Sequence, residues 1–164
     1  DKARYLTTQA KNDPINYIHN EIGYNFRLTN IQAALGVAQL EQLPNFLKKK
    51  EYINNFYSEK IKTIDGLSLV LTPKYSKNNF WLNILKIDKK IYGENRVECM
   101  NRLKKNGIET RPIWYLNHLQ KPFYNYQKYK IEKSLNQLDS SLCIPSSINL
   151  TDEELNFIIS KLQK

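Results

Sequence analysis

Two stretches of the chain carry side chains whose types and spacing could do chemistry. The first, Tyr17-Ile18-His19-Asn20-Glu21-Ile22-Gly23-Tyr24-Asn25-Phe26-Arg27, runs directly into a helix start. Chain that precedes a helix N-terminus favours anions, because unpaired N–H groups and the helix dipole face it. Arg27 adds a planar fork of donors and Asn25 an amide donor, both suited to phosphate oxygens. A turn at Asn25 and a surface ion pair at Arg27 are the plainer reading of the same residues. The second stretch is Arg111-Pro112-Ile113-Trp114, with His118 shortly after it. An arginine, an indole and an imidazole on one irregular stretch could grip a phosphorylated sugar, with charge for the phosphate, a flat face for the ring and a polar tip for hydroxyls. The competing reading makes Trp114 core and His118 a satisfied structural side chain. Phe123, Tyr124 and Tyr126 read as packing residues rather than stacking platforms.

Other chemistries find no foothold. There is no GxSxG, no Cys–His spacing of a nucleophile pair, no Walker lysine and no GxGxxG. His19 and His118 are the only histidines, too few for a histidine-rich metal site. Cys99 and Cys143 stand far apart and outside any CxxC, so they read as buried small hydrophobes in a reducing cytoplasm.

The elements that must position these residues can be read from period and punctuation. Residues 1 to about 10 continue a helical pattern that Lys11-Asn12-Asp13-Pro14 breaks. Tyr17 to Phe26 reads as extended chain or loop. Thr29 and Gln32 have capping-box spacing, and apolar residues then recur at Ile31, Leu35, Ala38, Leu43, Phe46 and Leu47. Pro44 falls inside this pattern and predicts a kink or a break. Ile53, Phe56, Tyr57 and Ile61 extend the helical period to a stop near Asp65-Gly66. Leu67–Leu71 and Phe80–Ile87 read as strands, Glu94–Asn106 as a helix capped by Gly107, and Ile108–Ile113 as a third strand with Pro112 near its end. Ile131, Leu135 and Leu138 mark a further helix, and Cys143-Ile144-Pro145 a short extended piece. The last helix opens on a second capping box, Thr151 with Glu154, reinforced by a Leu150–Leu155 staple. The fold class is therefore α+β: a small antiparallel sheet covered by helices, preceded by a long kinked helix.

With 164 residues the chain can bury one real core, and its apolar and charged content is that of a globular domain. No apolar run approaches the roughly 20 residues of a membrane span. The opening Asp1-Lys2-Ala3-Arg4-Tyr5-Leu6 lacks an initiator Met and an apolar signal core; it reads as helix interior, as though the chain began partway through a larger protein. The net charge of +9 would serve a nucleic acid, an anionic membrane surface or a phosphorylated small substrate. The lysine runs Lys48-Lys49-Lys50, Lys89-Lys90 and Lys104-Lys105 read as solvated helix faces, and no nucleic-acid motif accompanies them.

The run Gly23-Tyr24-Asn25-Phe26-Arg27-Leu28-Thr29-Asn30-Ile31-Gln32-Ala33-Ala34-Leu35-Gly36, with Gln39-Leu40-Glu41 and the preceding His19-x-Glu21, resembles the signature of the DegT-type (DegT/DnrJ/StrS) sugar aminotransferases. Gly107-Ile108-Glu109-Thr110-Arg111-Pro112-Ile113-Trp114, His118-Leu119-Gln120 and Cys143-Ile144-Pro145-Ser146 before Thr151 are similar to members that aminate UDP-linked 4-keto sugars. The resemblance implies the C-terminal part of a homodimeric fold-type-I aminotransferase that uses pyridoxal 5'-phosphate. Residues 1–27 would be the tail of its large cofactor-binding domain, and 28–164 the interdomain helix and small C-terminal domain. It implies that Asn25 reaches the cofactor phosphate of the partner subunit, that Arg27 faces the same shared site, and that Arg111, Trp114 and His118 line the sugar-nucleotide side. The Schiff-base lysine and the acid that pairs with the pyridinium nitrogen would lie upstream, so the fragment alone would be inactive. The reaction implied is transfer of an amino group from glutamate to a nucleotide-linked 4-keto sugar, for surface-glycan biosynthesis in the cytoplasm. Two alternatives stay open at this point: a non-catalytic sensor or regulator on the same scaffold, and a basic nucleic-acid-binding domain.

Overall fold

The computed structural model describes residues 1–13 and 15–163; Pro14, part of the expected helix break, lies outside them. The chain forms two compact units, Asp1–Pro44 and the remainder from Asn45 on.

In the first unit a short helix α1 (Lys2–Thr7) leads into the antiparallel pair β1 (Lys11–Asp13) and β2 (Ile18–His19). Gln9 and Ala10 take left-handed backbone conformations at the turn between α1 and β1, and Ala10 is buried. Gly23 is required where the returning chain crosses this turn: a Cβ there would stand 2.3 Å from the Ala10 amide nitrogen. The Asp13 carboxylate accepts from the Ile15 and Asn16 amides at 2.8 and 3.0 Å, which orders the loop to β2. Those Asn16 and Ile15 hydrogen bonds hold its carboxyl below the usual range. The extended reading of Tyr17–Phe26 thus resolves into β2 and a crossing strand whose Asn25 bridges Thr8.

Helix α2 (Asn30–Ile61) starts on the expected box: the Thr29 amide donates to Gln32 Oε1 at 2.9 Å, and the Gln32 amide to Thr29 Oγ1 at 3.3 Å. Of the kink or break expected at Pro44, a break does not occur. The helix runs through it, although proline offers no N–H to the Leu40 carbonyl, because the bonded turns on both sides continue. Pro44 is instead where the first compact unit ends.

The second unit is built on a four-stranded antiparallel sheet of order β3 (Leu67–Leu69), β4 (Asn83–Ile87), β6 (Ser141–Ile144), β5 (Arg111–Pro112). Strand β4 alternates, with Asn83, Leu85 and Ile87 buried, whereas all of β6 is buried. That is why Cys143-Ile144-Pro145 looked like no more than an extended piece: a strand buried on both faces shows no period of two. The third expected strand shrinks to Arg111–Pro112, since proline can donate nothing to a ladder and β5 lies at the sheet edge.

Helices complete the core. Ile53, Tyr57 and Ile61 of α2, Cys99 and Leu103 of α4 (Arg96–Lys105), and Leu155, Ile158, Ile159 and Leu162 of α6 (Asp152–Leu162) join the sheet residues Leu85, Leu142 and Ile144 in one buried cluster. Each such aliphatic side chain contributes roughly 1.5–3 kcal/mol by leaving water. Both α4 and α6 start on complete capping boxes, Asn95 with Glu98 and Thr151 with Glu154. The short α3 (Lys89–Tyr92) is capped by Asp88, and α5 (Glu132–Ser140) lies against β4. Arg102 ties the far end together: it pairs with Glu94 at 2.9 Å, donates to the Tyr92 hydroxyl at 2.6 Å, and reaches the Lys161 carbonyl. The Glu94 hydrogen bond, foremost, keeps that guanidinium charged.

Candidate functional site

The two candidate clusters fall in different units, and each has its own geometry. In the first unit Asn25 and Arg27 are exposed. The Arg27 amide donates to Asn25 Oδ1 at 3.4 Å, a turn of the kind asparagine favours. Asn25 Nδ2 donates to no protein acceptor among the described residues. The Arg27 guanidinium meets only neutral acceptors, Gln9 Oε1 at 3.2 Å and the Thr8 carbonyl at 3.4 Å. No carboxylate pairs with it among the described residues, so the plain surface ion pair is not formed. An amide donor and an uncompensated guanidinium two residues apart are a donor set that fits a phosphate dianion. His19, in the same unit, uses Nδ1 on the Gln9 carbonyl at 2.7 Å, and Glu21 pairs with Lys2.

In the second unit the edge of the sheet opens into a groove of about 870 Å³. Strand β5 places Arg111 on its wall, and Trp114 follows as the chain leaves the sheet. Strand β6 supplies the floor through Cys143 and Ile144, and burial pushes the Cys143 thiol up. Arg111 and Trp114, read together from the sequence, do share this groove. His118 does not line it: it lies half-buried on the 3-10 turn Asn117–Leu119.

Other lining residues were not singled out from the sequence. Trp81, just before β4, sets its indole 5.8 Å from that of Trp114, tilted by 38°. Phe157 of α6, Ser146 and the carboxylates of Glu109 and Glu154 complete the wall. Glu109 pairs with Arg111 at 3.2 Å, both side chains exposed, a contact worth well under about 1 kcal/mol and easily exchanged for a ligand. Glu154 is committed to the Thr151 amide at 2.9 Å. No local signal marks Trp81 or Phe157, because the pairing of β4 with β6 and the packing of α6 bring them to the groove from distant points of the chain.

Helix α2 fixes the back of this groove. Lys50 donates to the Trp81 carbonyl at 3.2 Å and to the Ser146 carbonyl, and its burial there holds the ammonium below its ordinary range. Asn54 donates to the buried Asn83 at 2.8 Å, and Asn83 donates to Ser146 Oγ at 2.9 Å. Tyr57 reaches the Pro145 carbonyl at 2.9 Å and Tyr52 the Asp152 carboxylate at 2.8 Å. These side chains thus satisfy one another and the nearby carbonyls, which specifies one arrangement of the groove wall.

The DegT/DnrJ/EryC1/StrS aminotransferase family matches residues 1–163, and the chain belongs to that family. It is 33% identical over 99% of its length to EpsN of Bacillus subtilis, by name a pyridoxal phosphate-dependent aminotransferase, and 37% identical over 90% to the GDP-perosamine synthase of Escherichia coli O157:H7. It spans 42% and 39% of the lengths of these two relatives. Among solved structures it superimposes on the aminotransferase TlmJ of Streptoalloteichus hindustanus with a TM-score of 0.82 at 20% identity, covering 99% of this chain and 43% of that one. It superimposes on PseC of Helicobacter pylori, an aminotransferase of pseudoaminic acid biosynthesis, with a TM-score of 0.79 at 20% identity, covering 98% and 44%. The α+β fold is theirs, and enzymes of this family depend on pyridoxal phosphate. No helix of the described residues is long and apolar enough to cross a membrane.

Proposed function

We propose that this chain is the C-terminal part of an aminotransferase that moves an amino group from glutamate to a 4-keto sugar carried on a nucleotide, in the cytoplasm, for the building of surface glycans. The observation that carries this reading is the family match along residues 1–163. Relatives support the substrate class by name: one is a GDP-perosamine synthase, another, of Shigella dysenteriae, a dTDP-4-amino-4,6-dideoxy-D-glucose transaminase.

Within this reading Asn25 and Arg27 hold the phosphate of pyridoxal phosphate in a site shared with a second copy of the protein. When bound, the cofactor supplies the carbonyl that carries the amino group and the ring that accepts electrons from the reacting carbon. The lysine that binds it belongs to sequence preceding this chain. The groove takes the sugar nucleotide: Arg111 trades Glu109 for a phosphate oxygen and Trp114 lies against a ring, while His118, outside the groove, is given no part in it. These groups bind and orient; none of them is asked to move a proton.

The test is turnover by the complete protein. Supplied with pyridoxal phosphate and glutamate, it should convert at least one UDP-, GDP- or dTDP-linked 4-keto sugar to the amino sugar, seen as a one-to-one gain of amine by mass spectrometry. Absence of product with all three carriers would sink this reading.

A further inference from the structure

Resting on the substrate class just proposed, we infer that Trp81 is a binding residue for the nucleobase of the nucleotide sugar, working with Trp114 as one aromatic platform. Both indoles are 64% exposed, and they stand 5.8 Å apart at the rim of the same groove. Two large apolar faces held beside each other in water are costly unless something covers them. The covering group must be flat and polarisable, since the rings meet at 38° and leave their faces open at an angle rather than closed on each other.

The backbone around Trp81 is held so as to display it. Phe80 takes a left-handed conformation with φ of 52°, which a bulky aromatic residue rarely adopts. The turn is maintained from both sides: the Phe80 amide donates to Asn78 Oδ1 at 2.9 Å and the Trp81 amide to Asn79 Oδ1 at 3.0 Å. Lys50 then fixes the Trp81 carbonyl at 3.2 Å. Strained backbone persists only where its surroundings over-determine it, and here three side chains do so. A surface tryptophan with no task would need none of them.

A nucleobase fits the platform better than a phosphate. The indole faces carry no charge, and the one guanidinium that lines the groove, Arg111, is the partner left for the phosphates. Base stacking needs no particular donor pattern and tolerates any base, because every base has a π-face. The platform therefore adds affinity for the nucleotide carrier and little choice among carriers.

The test uses the complete enzyme and free nucleoside diphosphates as competitive inhibitors. Trp81→Ala should raise the Ki of UDP, GDP and dTDP by about tenfold or more, the range typical of a lost base–aromatic stack. The Ki of inorganic pyrophosphate should not move. Trp81→Phe keeps a flat face and should recover most of the affinity. Equal Ki values for wild type and Trp81→Ala overturn the inference while leaving the aminotransferase reading intact, as does a loss that pyrophosphate shares. Should the enzyme turn over no sugar nucleotide, calorimetric binding of the same diphosphates decides separately. Nucleotide binding that Trp81→Ala weakens upholds the platform, and no binding to the wild type overturns it.

Discussion

Tyr57 shows how one side chain can serve the core and the groove at once. Its ring is fully buried, yet its hydroxyl reaches the Pro145 carbonyl at 2.9 Å, beside the strand that floors the groove. Burial pushes its phenol well above the ordinary range, and burial foremost pushes Tyr92 up to about 12. The folded state holds both protons more tightly than the unfolded chain does. Stability from this source is therefore complete below a pH of about 10, the unfolded phenol value, and is lost as pH rises above it. Denaturant midpoints should fall steeply from about pH 10 upward; Tyr57→Phe should flatten that fall while costing about 1 kcal/mol at neutral pH for the lost hydrogen bond. An unchanged alkaline slope in Tyr57→Phe would assign the loss to other groups. Arg111 belongs to the same scale. In the complete enzyme, Arg111→Ala should raise the KM of the sugar nucleotide strongly, since a desolvated charge pair to phosphate is worth about 2 to 4 kcal/mol. Trp114→Ala should do likewise through lost ring contact. Unchanged kinetics in both variants would return the stretch to a purely structural role.

Among the elements, the turns decide more than the helices. Gly66 closes the turn before β3 with φ of 81°, and its carbonyl accepts from the Asp88 amide at 2.8 Å. A Cβ there would lie 2.5 Å from the Tyr92 amide nitrogen, which backbone cannot yield cheaply. Gly107 has a similar φ of 77°, but its Cβ would meet open space. Gly107→Ala should thus cost only the left-handed penalty of roughly 1–2 kcal/mol, and Gly66→Ala distinctly more, by denaturant unfolding. Equal losses would mean that α3 gives way. This difference could not be read from the sequence, where both are simply glycines after a helical run. What could be read was short in range: the Thr29–Gln32 and Thr151–Glu154 boxes span three residues and are satisfied within them. The central position of β6 could not be read, because it depends on pairing with β4 some 60 residues away, Asn83 opposite Ile144. The candidate site divides along the same line. Arg111 and Trp114 are neighbours in sequence and share the groove, whereas Trp81, Phe157 and Lys50 reach it through the fold.

For the whole molecule, the sharpest prediction concerns which subunit Asn25 serves. If it holds the partner's cofactor phosphate, each site combines the lysine of one subunit with Asn25 of the other. A complete protein with that lysine replaced, and a second carrying Asn25→Ala, should each be strongly impaired as homodimers. Their heterodimer contains one doubly defective site and one intact site, so mixing and re-annealing should restore activity toward half of wild type per heterodimer. The Asn25→Ala homodimer should also release cofactor more readily, a buried phosphate hydrogen bond having gone. Verified heterodimers without recovery would place Asn25 in its own subunit's business or in none. The 164-residue chain gives a complementary check: pyridoxal phosphate followed by borohydride should label no single lysine stoichiometrically, and one such label would relocate the reactive lysine into this chain.

The pairing of Trp81 with Trp114 has a practical consequence for anyone who puts this chain in a fluorimeter. These are its only tryptophans, and both face solvent at the groove. Emission excited at the red edge of indole absorption therefore comes from the groove rim alone and carries almost no signal from the core. Unfolding should shift its wavelength little, because the indoles are already wet. Separation of the two rings, or a molecule lying across them, should change its intensity and lifetime while the core stays intact.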